Sequence, residues 1–159
     1  MGNIAVFPGS FDPFTIGHES IVKRGLPLFD KIYIAVGYNL TKKGYFSLEK
    51  RKRWIKKIFE DEPKISVDHF SGLTVDFCKL VNAKFILRGL RTSADFEYER
   101  AIGQLNKSLD AGIETIFMLT KPEHTFINST LVRDLIINSG NAGKFLPEKI
   151  RNEKFLDEE

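Results

Sequence analysis

Short apolar runs alternate with longer stretches of helical periodicity along this chain of 159 residues. The runs are Ile4–Phe7, Ile32–Val36, Ile65–Phe70, Phe85–Leu87 and Thr115–Leu119. Several are apolar at consecutive positions instead of alternating, the pattern of a parallel strand covered on both faces. Between them the spacing predicts helices over about Gly17–Phe29, Leu48–Phe59, Leu73–Val81 and Ala94–Leu109. Pro27 should end or kink the first, and Ser47 is a good N-cap for the second. The fourth places Tyr98, Ala101, Ile102, Leu105 and Leu109 on one stripe. A further helix starts near Ser129 and stops at Gly140, and Pro147 opens a last short one. Strand–helix alternation with right-handed crossovers implies an α/β fold, a doubly wound parallel sheet of about five strands. The length suits a single domain over residues 1–159, and no repeat, low-complexity tract or linker interrupts it.

Ligands on such sheets bind at the carboxyl ends of the strands, near the point where strand order reverses. The first connection, Gly9-Ser10-Phe11-Asp12-Pro13-Phe14-Thr15-Ile16-Gly17-His18, lies there. A glycine turn after a buried strand, followed by a helix N-terminus, offers free N–H groups and the positive end of a helix dipole to an anion. The Ser10 hydroxyl and the His18 imidazole add side-chain donors. A capping role for His18 is the structural alternative.

Composition narrows the setting. No apolar stretch is long enough to span a bilayer. The start, Met1-Gly2-Asn3-Ile4, has no signal-peptide organisation, and Val6 stands where a myristoylation signal needs Ser or Thr. A single cysteine, Cys78, excludes an intrachain disulfide, and with three scattered histidines no structural zinc site is visible. A cytoplasmic location follows as the expectation. Net charge is +3, but Lys42–Lys57 holds eight basic residues against one acid, so the rest of the chain is net acidic. A local basic region suits anionic ligands. The basic residues of Lys50–Lys57 also permit a nucleic-acid reading, for which a solvated helix face over a Trp54, Ile55, Ile58 and Phe59 core side is the simpler account.

Three later connections repeat the theme. Thr41-Lys42-Lys43-Gly44 follows the second strand and could bring Lys42 to a phosphate. Arg88-Gly89-Leu90-Arg91 follows the fourth, with guanidinium forks matched to phosphate oxygens. Glu99, in the helix beyond, could accept from a sugar hydroxyl or an amino group, or pair with Arg91 or Arg100. His124-Thr125-Phe126-Ile127-Asn128-Ser129-Thr130 leads into a helix, where its polar side chains either cap or hold phosphate.

Thr15-Ile16-Gly17-His18 matches the (T/H)xGH signature of the nucleotidyltransferase superfamily. The whole chain to about Glu148 resembles bacterial phosphopantetheine adenylyltransferases. The resemblance rests on Gly9–Pro13, Thr15–His18, Lys42-Lys43 with Phe46–Glu49, Phe70–Phe77, Arg88–Arg91, Asp95–Glu99 and Phe126–Val132. It implies a Rossmann-like nucleotidyltransferase fold and transfer of the adenylyl group of ATP to 4′-phosphopantetheine. By position, Ser10, Lys42, Thr74, Arg88 and Asn106 would bind phosphopantetheine. Ser10, Phe11, His18, Gly89, Leu90, Arg91, Glu99 and His124 through Thr130 (His124, Thr125, Phe126, Ile127, Asn128, Ser129, Thr130) would bind ATP. His18 would stabilise the transition state, and the charge that develops between two polyanions makes Lys42 and Arg91 further candidates for that task. The resemblance also implies a magnesium ion carried mainly on ATP phosphates with no dedicated carboxylate cage, a homohexamer, and coenzyme A as feedback inhibitor. Neither a nucleic acid nor a membrane is an expected partner. Ser10, Gly44 and Asn128 stand where the family commonly has threonine, proline and serine.

Two other readings compete. A nucleotidyltransferase acting on nicotinamide mononucleotide or glycerol phosphate shares the first motif but not the Arg88–Glu99 segment. A silent nucleotide sensor should have lost His18 or an arginine, and this chain keeps them.

Overall fold

In a computed structural model, residues 2–156 are described. Five parallel strands, β1 (Ile4–Gly9), β2 (Lys31–Gly37), β3 (Ile65–Phe70), β4 (Phe85–Leu90) and β5 (Glu114–Leu119), stand in the order β3-β2-β1-β4-β5. The helices are α1 (Ile16–Gly25), α2 (Leu48–Ile58), α3 (Thr74–Leu80), α4 (Ser93–Leu109) and α5 (Ser129–Ile137). Successive residues of the central strands serve opposite faces. Ala5, Phe7, Ile32 and Ile34 join the core under α1, α2 and α5, whereas Val6, Ala35 and Ile86 join Val75, Phe77 and Cys78 of α3. That double burial is why these strands read as continuous apolar runs.

Four boundaries differ from the sequence reading. α1 gives way at Leu26–Leu28 to a 3-10 turn containing Pro27, which cannot donate the helical bond. The segment after Pro147 is likewise a 3-10 turn, Glu148–Ile150. β4 continues through Arg88 and Gly89, because its backbone stays paired with β5 from Phe85↔Glu114 to Leu90↔Leu119. Arg88 is therefore a strand residue, not a loop residue. β1 likewise runs on through Pro8 and Gly9, paired with β2.

α4 has the expected period, but most of its apolar stripe stays uncovered. Glu99 is buried and Ile102 half-buried, while Tyr98, Leu105 and Leu109 are 69%, 59% and 48% exposed. An apolar stripe specifies that something should cover it, not that the sheet does.

Candidate active site

The strand order reverses between β1 and β4, and the sheet opens there. β1 pairs with β2 over six positions but with β4 only at Ala5↔Phe85 and Val6↔Ile86. Past those pairs the gap is bridged by a side chain, with Arg88 Nη1 donating to the Pro8 carbonyl at 2.6 Å. Two recesses meet at this gap. A wide cleft of about 1410 Å³ spreads toward β2 and β3, and a narrow chamber of about 290 Å³ lies over α1 and α5. Both are lined by Ser10, Arg88, Glu99 and Ser129.

The turn out of β1 is built on close aromatic packing. Phe11 has φ +48, a left-handed conformation that costs energy for a side chain of this size. Its ring packs 5.1 Å from both Phe14 and His18, and 5.3 Å from Phe7. Gly9 is needed for this approach, since a Cβ there would sit 2.8 Å from the Phe11 ring. The left-handed residue of the turn is Phe11, while Gly9 belongs to the strand.

His18 is both cap and candidate donor. Thr15 is the N-cap of α1, its Oγ1 accepting from the His18 N–H, and the Thr15 N–H donates to His18 Nδ1 at 3.0 Å. A nitrogen that accepts an N–H carries no proton, so the neutral ring holds its proton on Nε2. Burial among Phe7, Phe11 and Phe14, followed by the positive charges of Arg88 and Arg91, lowers the imidazole from 6.5 to about 3. His18 therefore stands in the narrow chamber as a neutral, oriented N–H donor.

Glu99 is committed to Arg88. Its two oxygens accept from Arg88 Nε at 2.9 Å and Nη2 at 2.5 Å, in a bidentate pair. Neither partner weighed from sequence, Arg91 or Arg100, is used. Arg91 Nε lies 3.2 Å from Asp95, and Arg100 pairs with Glu97 on the outer face of α4. With Nε, Nη1 and Nη2 all engaged, the Arg88 guanidinium is fixed at the neck between the two recesses. Arg91 Nη1 also reaches the Ile127 carbonyl at 3.4 Å, joining β4 to the last loop.

That loop enters α5 through Asn128, whose Oδ1 accepts from the Leu131 N–H at 2.9 Å. Its side chain is used as a cap, whatever else its backbone holds. Ser129 Oγ donates to the Pro13 carbonyl at 2.8 Å and ties α5 to the first loop. Ile127, Asn128 and Ser129 line the narrow chamber, and Thr130 lines the wide cleft. Leu90, His124, Thr125 and Phe126 line neither.

The expected sets otherwise separate. Ser10, Lys42, Thr74, Arg88 and Asn106 all line the wide cleft. Phe11, His18, Gly89 and Arg91 line the narrow chamber. Lys42, grouped above with His18 and Arg91, thus faces the neck from the other side. Among the described residues, no three His, Cys, Asp or Glu side chains gather as a metal-holding group. Nor is any helix long and apolar enough to cross a membrane.

Three residues were missed as site components. Asp12 is buried and accepts from the N–H groups of Tyr45 and Phe46 at 2.7 and 2.9 Å. Arg51, expected on a solvated basic face, is only 4% exposed and donates to the carbonyls of Phe46 and Ser10. Arg133 Nη1 donates to the Asp12 carbonyl. The Gly44 loop beside Asp12 could not signal these contacts, since each joins segments more than thirty residues apart, apart from Arg51 to Phe46.

Comparison with known proteins places this geometry. A profile described as cytidylyltransferase-like matches residues 6–135. The phosphopantetheine adenylyltransferase of Flavobacterium psychrophilum is 56% identical over 147 residues, spanning 92% of this chain and 97% of that protein. The chain belongs to the phosphopantetheine adenylyltransferase family. The Flavobacterium johnsoniae member is 53% identical over 94% of this chain and 98% of its own length. Among solved structures, a putative nicotinate-nucleotide adenylyltransferase from Vibrio parahaemolyticus superposes with a TM-score of 0.65 at 17% identity, covering 95% of this chain and 97% of that one. At that identity the likeness speaks for the fold alone. Membership of the phosphopantetheine adenylyltransferases makes the chain a nucleotidyltransferase, as Thr15–His18 and Arg88–Glu99 implied.

Proposed function

We propose that this enzyme holds ATP in the narrow chamber and 4′-phosphopantetheine in the wide cleft, and transfers the adenylyl group across the neck between them. The products are dephospho-coenzyme A and pyrophosphate, a step of coenzyme A biosynthesis. The observation that carries the reading is the division of the polar side chains. His18 and Arg91 lie on one side of Ser10 and Arg88, with Lys42, Thr74 and Asn106 on the other.

The phosphate monoester of phosphopantetheine is a competent nucleophile without a general base. One of its oxygens attacks the α-phosphorus of ATP, forming a new P–O bond. The bond from the α-phosphorus to the bridging oxygen breaks, and pyrophosphate leaves with the electron pair. The protein's task is to hold two polyanions in line and to neutralise charge as it develops. Lys42 and Arg88 hold the incoming phosphate. Arg91 and the N-termini of α1 and α5 hold the ATP phosphates. His18 donates from Nε2 to the α-phosphate, and because its orientation is already set by Thr15 it reorganises little during reaction.

Magnesium on the ATP phosphates would offset part of their charge, and such an ion commonly keeps phosphate oxygens and water as ligands. Coenzyme A carries the same pantetheine arm and would compete for the wide cleft as a feedback inhibitor. The exposed stripe Tyr98–Leu105–Leu109 supports self-association, for which a homohexamer is the expected size. A reducing cytoplasm suits a chain whose single cysteine is buried.

The test is pyrophosphate release from ATP and magnesium with 4′-phosphopantetheine, nicotinamide mononucleotide or glycerol 3-phosphate in parallel. Release with phosphopantetheine alone is expected. Release with another acceptor would overturn the substrate assignment and keep the reaction class.

A further inference from the structure

We infer that Asp12 and Arg51 are positioning residues, a buried strut that locks the Lys42 loop against the Ser10 turn and so sets the separation of the two groups facing the incoming phosphate. The inference rests on the assignment of the wide cleft to phosphopantetheine.

Lys42 sits on the loop between β2 and α2, and Ser10 on the turn after β1. The strands beneath them are paired only as far as Gly9↔Val36. Beyond that point the backbone ladder no longer sets the distance between the two connections. Side chains take over in both directions. From the first loop, the Asp12 carboxylate accepts from Tyr45 N–H at 2.7 Å and Phe46 N–H at 2.9 Å, one oxygen to each. From the other side, Arg51 Nη1 reaches the Ser10 carbonyl at 2.7 Å while its Nε holds the Phe46 carbonyl at 3.0 Å. The amide and the carbonyl of Phe46 are thus both claimed by the strut. Arg133 of α5 donates to the Asp12 carbonyl at 2.9 Å, bringing the third wall to the same point.

The charges belong together. Arg51 is pushed down by burial and drawn back up by the Asp12 carboxylate, and Arg133 lies 3.5 Å from the same carboxylate. A buried guanidinium without its counter-charge is costly. No ligand is needed to explain why these groups are buried. What the geometry adds is their place. They bond the backbone of Ser10 itself, and of Tyr45 and Phe46 three and four residues past Lys42. Within the near part of the loop, Asn39 Oδ1 accepts from the Thr41 N–H and hydroxyl in a local turn. On the near side the last bond to the sheet is Tyr38 N–H to the Phe70 carbonyl at 3.0 Å, so Lys42 hangs between that point and the strut, with its side chain left to the cleft.

Asp12→Asn tests this with the shape kept. The amide offers one oxygen where two N–H groups need acceptors, and its NH2 faces the other as a second donor. The expected result is a rise of about tenfold in KM for 4′-phosphopantetheine, with KM for ATP changed less than about twofold. The effect should shrink by most of its size in a Lys42→Ala background, because Asp12 bonds the loop that carries Lys42. Arg51→Lys keeps the buried charge and loses one of the two carbonyl bonds. It should show the same split at smaller size, and it carries the same cycle if Asp12→Asn does not fold. Equal rises in both KM values, or an Asp12→Asn effect undiminished by Lys42→Ala, would overturn the inference while leaving the site assignment standing. A Lys42→Ala variant with unchanged KM for phosphopantetheine would overturn the assignment of the cleft, and the inference with it.

Discussion

The narrow chamber and the wide cleft share a neck and little else in how they are made. The narrow chamber comes from short contiguous stretches, 7–21, 88–99 and 120–129, and several of its polar groups are tied by near neighbours, with longer bonds from Arg91 to Ile127 and from Ser129 to Pro13. Thr15 sets the His18 ring three residues on, Asp95 holds Arg91 four residues back, and Asn128 caps the helix it begins. The wide cleft takes its walls from Pro8 to Arg133, and its shape depends on bonds across long loops, Asp12 to Phe46 and Arg51 to Ser10. His18 and Arg91 are oriented by neighbours three and four residues away, where little chain entropy intervenes. The wide cleft is assembled from more distant parts, and Lys42 and Lys43 enter it from the long connection between β2 and α2.

The largest break in this comparison should come from His18→Ala. Losing one preorganised donor to developing charge lowers kcat by roughly 10²–10³-fold. Steady-state pyrophosphate release should show KM for phosphopantetheine unchanged, since His18 lines only the narrow chamber.

Arg88→Ala should damage both sides at once. It removes a guanidinium shared by the two recesses and leaves Glu99, 8% exposed, without its bidentate partner. Both KM values should rise, and urea unfolding should show about 2 kcal/mol lost, less than for a fully enclosed pair because the arginine is partly solvated. A KM effect confined to one substrate would mean that the neck is not shared.

The smallest effect is an absence of titration. With His18 lowered to about 3, the imidazole stays neutral from pH 5 to 8, so its ring resonances in the free protein should not move across that range. The sign for stability follows from the same shift. The unfolded chain takes up a proton near pH 6.5 that the folded chain refuses, so this contribution is complete above about pH 6.5 and is lost as pH falls toward about 3. A His18 resonance titrating near 6.5 would remove the neutral-donor role.

The same contrast explains what could be seen in advance. The central strands were legible because double burial leaves unbroken apolar runs, the edge strands β3 and β5 from shorter apolar stretches between helical patterns, and the narrow chamber because its residues sit at short spacings in the chain. The end of β4 was not. Arg88 and Gly89 are polar or small, and only backbone pairing with β5 makes them strand. The apolar stripe of α4 was legible but its cover was not, since periodicity marks a stripe without naming what packs on it. Arg51 looked like its neighbours Lys50, Lys52 and Arg53, yet its position one turn after Ser47 points it beneath Phe46. Asp12 read as one letter of a loop motif, while its partners lie at Tyr45 and Phe46. Such long-range polar bonds leave no periodic trace.

Calorimetric titration of each substrate into Lys42→Ala and Arg91→Ala tests the two-chamber account most directly. Lys42→Ala should bind 4′-phosphopantetheine more weakly by about tenfold or more and a non-hydrolysable ATP analogue as the parent does. Arg91→Ala should do the reverse. If each variant weakens both ligands alike, or if the losses are exchanged, the division of the site at Ser10 and Arg88 is wrong.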